Sequence, residues 1–297
     1  MAHHIYILIA GVVFGLANVI PGVSGGTMAV VFGVYERIID LIANLRKKWK
    51  QELPFICVFG AGAVLGILGF GKIMKWVLAH YPTEANAFFI GIILGSIPML
   101  VKLAVGQPEN APRRRLGWNA GSWYAGLENI LPMLITFAIM VPMALAGDSD
   151  SAKEAAKAEA ELMGSAQGFN LGNTLLYILY GAIAVSTMII PGISGSFVML
   201  LLGFYSTIIG AVADLNLWIL LPFALGCVLG VIFVTKLIKW VLNRFAVPAY
   251  SAILGFVLGS VLCIFPGWSE MLRVAPLLMV VLGIAAILLC NKISPEA

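Results

Sequence analysis

Charge is scarce in this chain: 18 lysines and arginines, 14 aspartates and glutamates and 3 histidines are spread over 297 residues. No basic tract interleaved with aromatics is long enough to follow a nucleic-acid backbone, which excludes that partner class. Four cysteines, Cys57, Cys227, Cys263 and Cys290, stand singly in apolar stretches without a CxxC pair, so a disulfide framework or a thiolate metal site is not expected. P-loop, Walker and HExxH patterns are missing as well, leaving no expected cofactor, metal or catalytic residue. What is there is apolar: 61% of the residues are hydrophobic and the mean hydropathy is +1.01, the composition of a polytopic membrane protein. The start, MAHHIYILIAGVV, reads as mature chain, because no basic residue precedes its apolar run and no small-residue cleavage site follows it.

Against that background one phrase is written twice, Pro21-Gly22-Val23-Ser24-Gly25 and Pro191-Gly192-Ile193-Ser194-Gly195. Each interrupts an apolar run. Proline removes a backbone donor, glycine frees the dihedrals and serine supplies a cap, so each phrase should end one helix and open another. Irregular backbone at membrane depth must be shielded by protein or line a polar cavity. Apolar segments fall near 5–20, 27–44, 54–79, 86–105, 128–146, 173–190, 195–213, 219–242, 250–266 and 274–291. A crossing helix needs roughly 20 apolar residues. Segment 27–44 carries Glu36, Arg37 and Asp40 in its second half, which favours re-entrant helical hairpins at the two breaks over full spans.

The match extends well past the breaks. At one constant offset Gly33-Val34-Tyr35 faces Gly203-Phe204-Tyr205, and Ile38-Ile39 faces Ile208-Ile209. At a slightly shorter one Lys72-Ile73-Met74-Lys75-Trp76-Val77-Leu78 faces Lys236-Leu237-Ile238-Lys239-Trp240-Val241-Leu242, and Gly91-Ile92-Ile93-Leu94-Gly95-Ser96 faces Gly255-Phe256-Val257-Leu258-Gly259-Ser260. The chain therefore reads as two membrane repeats, 1–146 and 172–297, joined by a polar external linker, 147–171. Loop charge sets their relative orientation. Arg46-Lys47-Lys48-Trp49-Lys50 is basic, whereas the corresponding loop of the second repeat, Ala213-Asp214-Leu215-Asn216, carries no positive charge. That reversal is the expected mark of inverted topology under the positive-inside rule. The resulting expectation is an all-α protein of two inverted-topology repeats, each a re-entrant hairpin broken at PGxSG plus about three transmembrane helices, with both termini cytoplasmic.

Inversion brings two equivalent breaks toward the midplane from opposite faces, the architecture of alternating access. The residues at each half-helix start, Ser24, Gly25, Gly26 and Thr27 in one repeat and Ser194, Gly195 and Ser196 in the other, offer free N–H groups, hydroxyls and the positive end of a dipole to an anion. Pro21, Gly22, Pro191 and Gly192 make the breaks. Lys72, Lys75, Lys236 and Lys239 lie three apart on one helical face. They serve either as snorkelling interfacial anchors or as attractors of a phosphate headgroup. Arg37, beside Glu36 and Asp40, is either a further anion anchor or half of a hairpin-end ion pair, with Glu36 a candidate proton-coupling partner.

The two phrases with their continuations, PGVSGGTMAVVFGVYERII and PGISGSFVMLLLGFYSTII, resemble the bacterial polyprenyl-phosphate transporter family. This resemblance spans essentially the whole chain. It implies a translocase of the cytoplasmic (inner) membrane that returns undecaprenyl phosphate, the lipid carrier of cell-envelope synthesis, from the outer to the inner leaflet. Its partners would be that lipid and the bilayer; oligomeric state, direction and coupling ion are not legible here. Two alternatives remain. A membrane-embedded undecaprenyl pyrophosphate phosphatase uses a similar-looking PGxSRSG loop, but the loops here lack its arginine, and no glutamate pair or histidine stands in an apolar segment to assist hydrolysis. A carrier of a small soluble anion would need the same polar centre as a lipid translocase.

Overall fold

The computed structural model describes residues 2–19, 23–104, 123–146, 171–195, 198–199 and 202–293. Every regular element among them is helical. Helix α1 (Ala2–Val19) leads to the first break, and α2 (Gly25–Val31) follows it. Next come α3 (Tyr35–Ala43), the short α4 (Leu45–Lys48) and α5 (Leu53–Val64), which continues through a π-helical turn at Leu65–Gly69 into α6 (Phe70–His80). Helices α7 (Pro82–Ala104) and α8 (Trp123–Ala146) complete the first half. In the second half α9 (Leu171–Ile189) runs to the other break. Beyond it are α10 (Tyr205–Ala213), α11 (Leu217–Arg244), α12 (Ala246–Ile264), the short α13 (Trp268–Met271) and α14 (Val274–Ile293).

Among the described residues five helical stretches are long and apolar enough to cross a bilayer: Pro82–Lys102, Gly172–Ile189, Leu217–Arg244, Ala246–Ile264 and Val274–Lys292. His3–Asn18, Leu53–Gly69 and Ile130–Leu145 are apolar but shorter. Segment 27–44, read from the sequence as one apolar run, is instead two short helices joined by a tight turn. Gly33 closes α2 at φ +65° and Gly203 takes φ +80° at the matching position, a conformation that costs glycine nothing. The same hydrogen bond closes both turns, from Val34 N–H to the Ala29 carbonyl (2.9 Å) and from Phe204 N–H to the Met199 carbonyl (3.1 Å). At about 1.5 Å rise per residue, neither α2 nor α3 reaches across a ~30 Å hydrocarbon core.

Helix pairing follows the sequence match. α1 lies along α5 and the π turn, and α9 lies along α11 in the same way. Small residues at matched positions make these contacts close: a Cβ added at Gly62 would strike the Leu8 carbonyl, and one at Gly226 the Ile178 carbonyl. Without a hydrophobic drive between helices in lipid, such backbone approach is what van der Waals attraction can use. The third and fourth helices then pair crosswise: α7 packs along α14 and α8 along α12, with Gly91 set against Val280 and Gly255 against Met133. Thr136 ties the second crossing, its Oγ1 donating to the Ala252 carbonyl at 2.8 Å.

The main core gathers around the first hairpin. All seven residues of α2 are buried, with Met28, Val31, Phe32, Tyr35, Ile93 and Val257 in one cluster, and Tyr6 donating its hydroxyl to the Phe32 carbonyl at 2.6 Å. Among the described residues of the second hairpin, Ala184, Phe204 and Ile208 form a separate cluster, with Tyr180 stacked on Phe204 at 4.1 Å. The hairpins differ in one more respect. α3 packs against α11, while α10 makes no comparable contact with α5 or α6 among the described residues.

Candidate functional site

The two breaks meet. Pro21 and Gly22 lie outside the described residues, but the helix they introduce begins at Ser24, whose Oγ accepts from the Thr27 N–H at 3.4 Å and whose carbonyl accepts from the Met28 N–H at 3.2 Å. Ser194 opens its helix in the matching way, its carbonyl accepting from the Val198 N–H at 3.0 Å. Across the gap, Gly192 N–H donates to Thr27 Oγ1 at 2.7 Å. This bond joins positions from opposite halves of the chain, and Thr27 is 1% exposed. Gly26 sits against the Met188 and Ile189 carbonyls and Pro191, each within 3.3 Å of where a Cβ would stand. Gly25 faces the Asn18 side chain and Gly195 faces Met188.

The chemistry of this junction is that of backbone amides and hydroxyls in a protein-walled, low-dielectric place, which strengthens each hydrogen bond and penalises any left unmade. Ser24 and Thr27 are buried, Ser194 is half-buried, and Ser196 lies outside the described residues. Among the described residues no group of His, Cys, Asp or Glu could hold a metal ion.

The charged residues named from the sequence lie elsewhere. Lys72 and Lys75 fall on α6, and their side chains are outside the described part. Lys236 is exposed on α11, whereas Lys239 pairs with Asp40 of α3. Sequence proximity groups Arg37 with Glu36 and Asp40. In the fold Arg37 Nε instead donates to Glu52 Oε2 at 2.8 Å, and its guanidinium lies 4.3 Å from the centre of the Phe55 ring; Glu52 is the residue just before α5. Glu36 is exposed. Asp40 also binds Lys48, a triad the sequence reading missed. Its signal was a second acid, Asp40, standing among isoleucines and leucine on the helix that carries Glu36. An open groove lined by Leu45, Arg46 and Trp49 lies beside the same α4 segment, away from the breaks.

Burial alone would raise the Asp40 carboxyl. The hydrogen bonds and charges of Lys239 and Lys48 outweigh burial and hold it below the ordinary aspartate value, while Asp40 in turn raises the Lys48 ammonium. A depressed carboxylate pKa gives stability that is complete above the unfolded value of about 3.9 and is lost as pH falls through the folded value. The lysine contribution runs the other way, complete below the ordinary lysine value and lost as pH rises through the raised one. Asp40→Asn should therefore lower the melting temperature by a few degrees at pH 7, with the gap closing below about pH 4. A gap that persists unchanged in acid would mean packing and not charge sets the effect.

Apolar helices of spanning length closed around two facing helix breaks define a multi-pass α-helical membrane protein. The chain belongs to the undecaprenyl phosphate translocase-like family, which it matches over residues 14–54, 45–107 and 127–278. It is similar to the polyprenyl-phosphate transporter of Vibrio cholerae serotype O1, with 31% identity over 280 residues, 88% of this chain and 77% of that protein. Similarity to the polyprenyl-phosphate transporter of Staphylococcus aureus is 26% identity over 301 residues, 97% of this chain and 96% of that protein. The family is one of transporters and not of enzymes. No solved structure matches the chain.

Proposed function

We propose that this protein transports polyprenyl phosphate across the bacterial cytoplasmic membrane, moving undecaprenyl phosphate from the outer to the inner leaflet by alternating access of two inverted repeats. The observation that carries the reading is the hydrogen bond between the Gly192 N–H and the Thr27 hydroxyl, which makes one centre of two sequence-matched breaks. Both relatives described above are named as polyprenyl-phosphate transporters. Crosswise packing of α7 on α14 and α8 on α12 has the reciprocal form that a pseudo-twofold relation produces.

In this reading the hairpins are re-entrant, and the phosphate meets Ser24, Gly25, Gly26 and Thr27 from one half and Ser194, Gly195 and Ser196 from the other. The conformation described is occluded there, since the Thr27 hydroxyl and the Gly192 amide satisfy one another. Parting the breaks frees an acceptor-seeking amide and the serine hydroxyls for a charged headgroup, while the isoprenoid tail stays in hydrocarbon and incurs no transfer cost. Lys72, Lys75, Lys236 and Lys239 gather the headgroup at either surface, and Arg37 with Glu36 stands at the end of the first hairpin.

The test is leaflet exchange of undecaprenyl phosphate in proteoliposomes, with uptake of soluble phosphate and phosphate release from the pyrophosphate lipid followed in parallel. Accelerated lipid exchange alone is the expected result. Uptake without exchange would replace this reading with a soluble-anion carrier, and phosphate release would replace it with a phosphatase. The double substitution Ser24→Ala with Ser194→Ala should cut exchange about tenfold or more, the loss of two hydrogen bonds to a charged group, while the protein still inserts and purifies as before. Undiminished exchange in that variant would remove the serines from the site.

A further inference from the structure

On α3, three donors converge on one carboxylate, that of Asp40. Lys48 binds Asp40 Oδ2 and Lys239 binds Oδ1. The Asn44 side-chain amide donates to the same Oδ1 at 2.9 Å. Lys239 arrives from the other half of the chain and adds an ion pair to the packing of α3 on α11. Two ammonium groups around one carboxylate leave the cluster one positive charge in excess, and the Arg37–Glu52 pair beside it is neutral. The side chains are accessible, at 33% for Asp40, 43% for Lys48 and 31% for Lys239, so an incoming oxyanion need not enter a closed core to reach them.

The matched place in the second half is built differently. At the offsets set by the repeated sequence, Lys239 corresponds to Lys75, but Asp40 corresponds to Gly210. Packing does not require that glycine, since a Cβ there would meet nothing within 4 Å. Among the described residues the helix bearing it, α10, makes no contact with α5 or α6 comparable to that of α3 with α11. The carboxylate is thus present on one side only, and among the described residues so is the close helix contact.

We infer that Lys48, Lys239 and Asn44 form a binding cradle for a phosphate monoester, filled by Asp40 when no ligand is present, and that an entering phosphate displaces the carboxylate and releases α3 from α11. A phosphate monoester carries close to two negative charges at neutral pH and three terminal oxygens. It matches two lysines and an amide in charge and in number, where a carboxylate offers one charge and two oxygens. Asp40 is then an internal competitor whose departure couples headgroup arrival to movement of the hairpin. The inference deepens the transport reading and rests on it for the ligand class, a phosphate borne on a lipid tail.

The experiment uses full-length protein in nanodiscs, with the four native cysteines replaced and spin labels placed at Ala43 on α3 and Leu237 on α11. Without ligand the distance between labels should form one short population. Asp40→Asn should move it to longer distance, and undecaprenyl phosphate should produce the same shift in the protein that retains Asp40. The reversed pair, Asp40→Lys with Lys239→Asp, should restore the short distance and lose the response to lipid. Inorganic phosphate run in parallel separates the sources. A shift with both ligands locates recognition in the headgroup alone, and a shift with the lipid only adds its tail; either supports the cradle. A distance unmoved by Asp40→Asn, a reversed pair that stays open, or no response to either phosphate overturns it. Leaflet exchange measured on the same samples keeps the two readings apart. Opening by the lipid without exchange would remove transport and keep the cradle, and exchange at a fixed distance would do the opposite.

Discussion

Gly192→Ala is expected to abolish leaflet exchange and to lower the melting temperature of the purified protein by several degrees or more. Gly192 holds φ at +88°, where an L-residue is strained by about 1–2 kcal/mol. The added methyl would stand 2.6 Å from the Phe256 carbonyl carbon and 2.8 Å from its Cβ, distances that force one backbone away from the other. The yielding partner is α12, which packs on both α7 and α8, so the strain cannot relax locally as it would against the tip of a flexible side chain. Any shift also draws the Gly192 N–H away from Thr27. Thermal unfolding followed by tryptophan fluorescence, with exchange assayed on the same material, checks this; native values for both would show that the break tolerates a side chain.

The second large effect belongs to the other end of that hydrogen bond. Thr27→Val keeps the shape of the side chain and removes the oxygen, leaving the Gly192 amide buried without its acceptor. Such an orphan costs about 1–3 kcal/mol, and exchange should fall about tenfold or more, because 1.4 kcal/mol is already a factor of ten where the bond orders the site. Thr27→Ser restores the acceptor at the price of a methyl group and should recover most of the exchange and stability. If serine and valine behave alike, the methyl of Thr27, a residue 1% exposed, outweighs its hydroxyl, and the junction is held by volume alone.

How much of this was legible beforehand differs from element to element. The breaks, the repeated small residues and the apolar runs are local patterns, so the helices and the correspondence of the two halves could be read from residues, whereas the pairing of α1 with α5 and of α9 with α11 came from the fold. The turn at Gly33 was in view within the repeated Gly-Val-Tyr and Gly-Phe-Tyr triplets, but an unbroken apolar run hides a turn whose only mark is one glycine. Crosswise pairing of the third and fourth helices could not be read, because a stripe such as Gly91 and Gly95 presents the same notch to any apolar helix. The Asp40 triad was hidden for another reason. Along one helix, residues three apart share a face, so Arg37 and Asp40 look like partners; yet Glu52 reaches Arg37 from the start of α5, and Lys239 reaches Asp40 from far down the chain. Charges choose partners by proximity in space, and sequence spacing records it only within an element.

Crosswise packing also constrains how the protein is made. When the first half has left the ribosome, the partners of α7 and α8, α14 and α12, have not been synthesised, and the notches at Gly91 and Gly95 are without the helix that fills them. Neither half can then mature as an independent unit, and the final assembly step waits for the last helix of the chain.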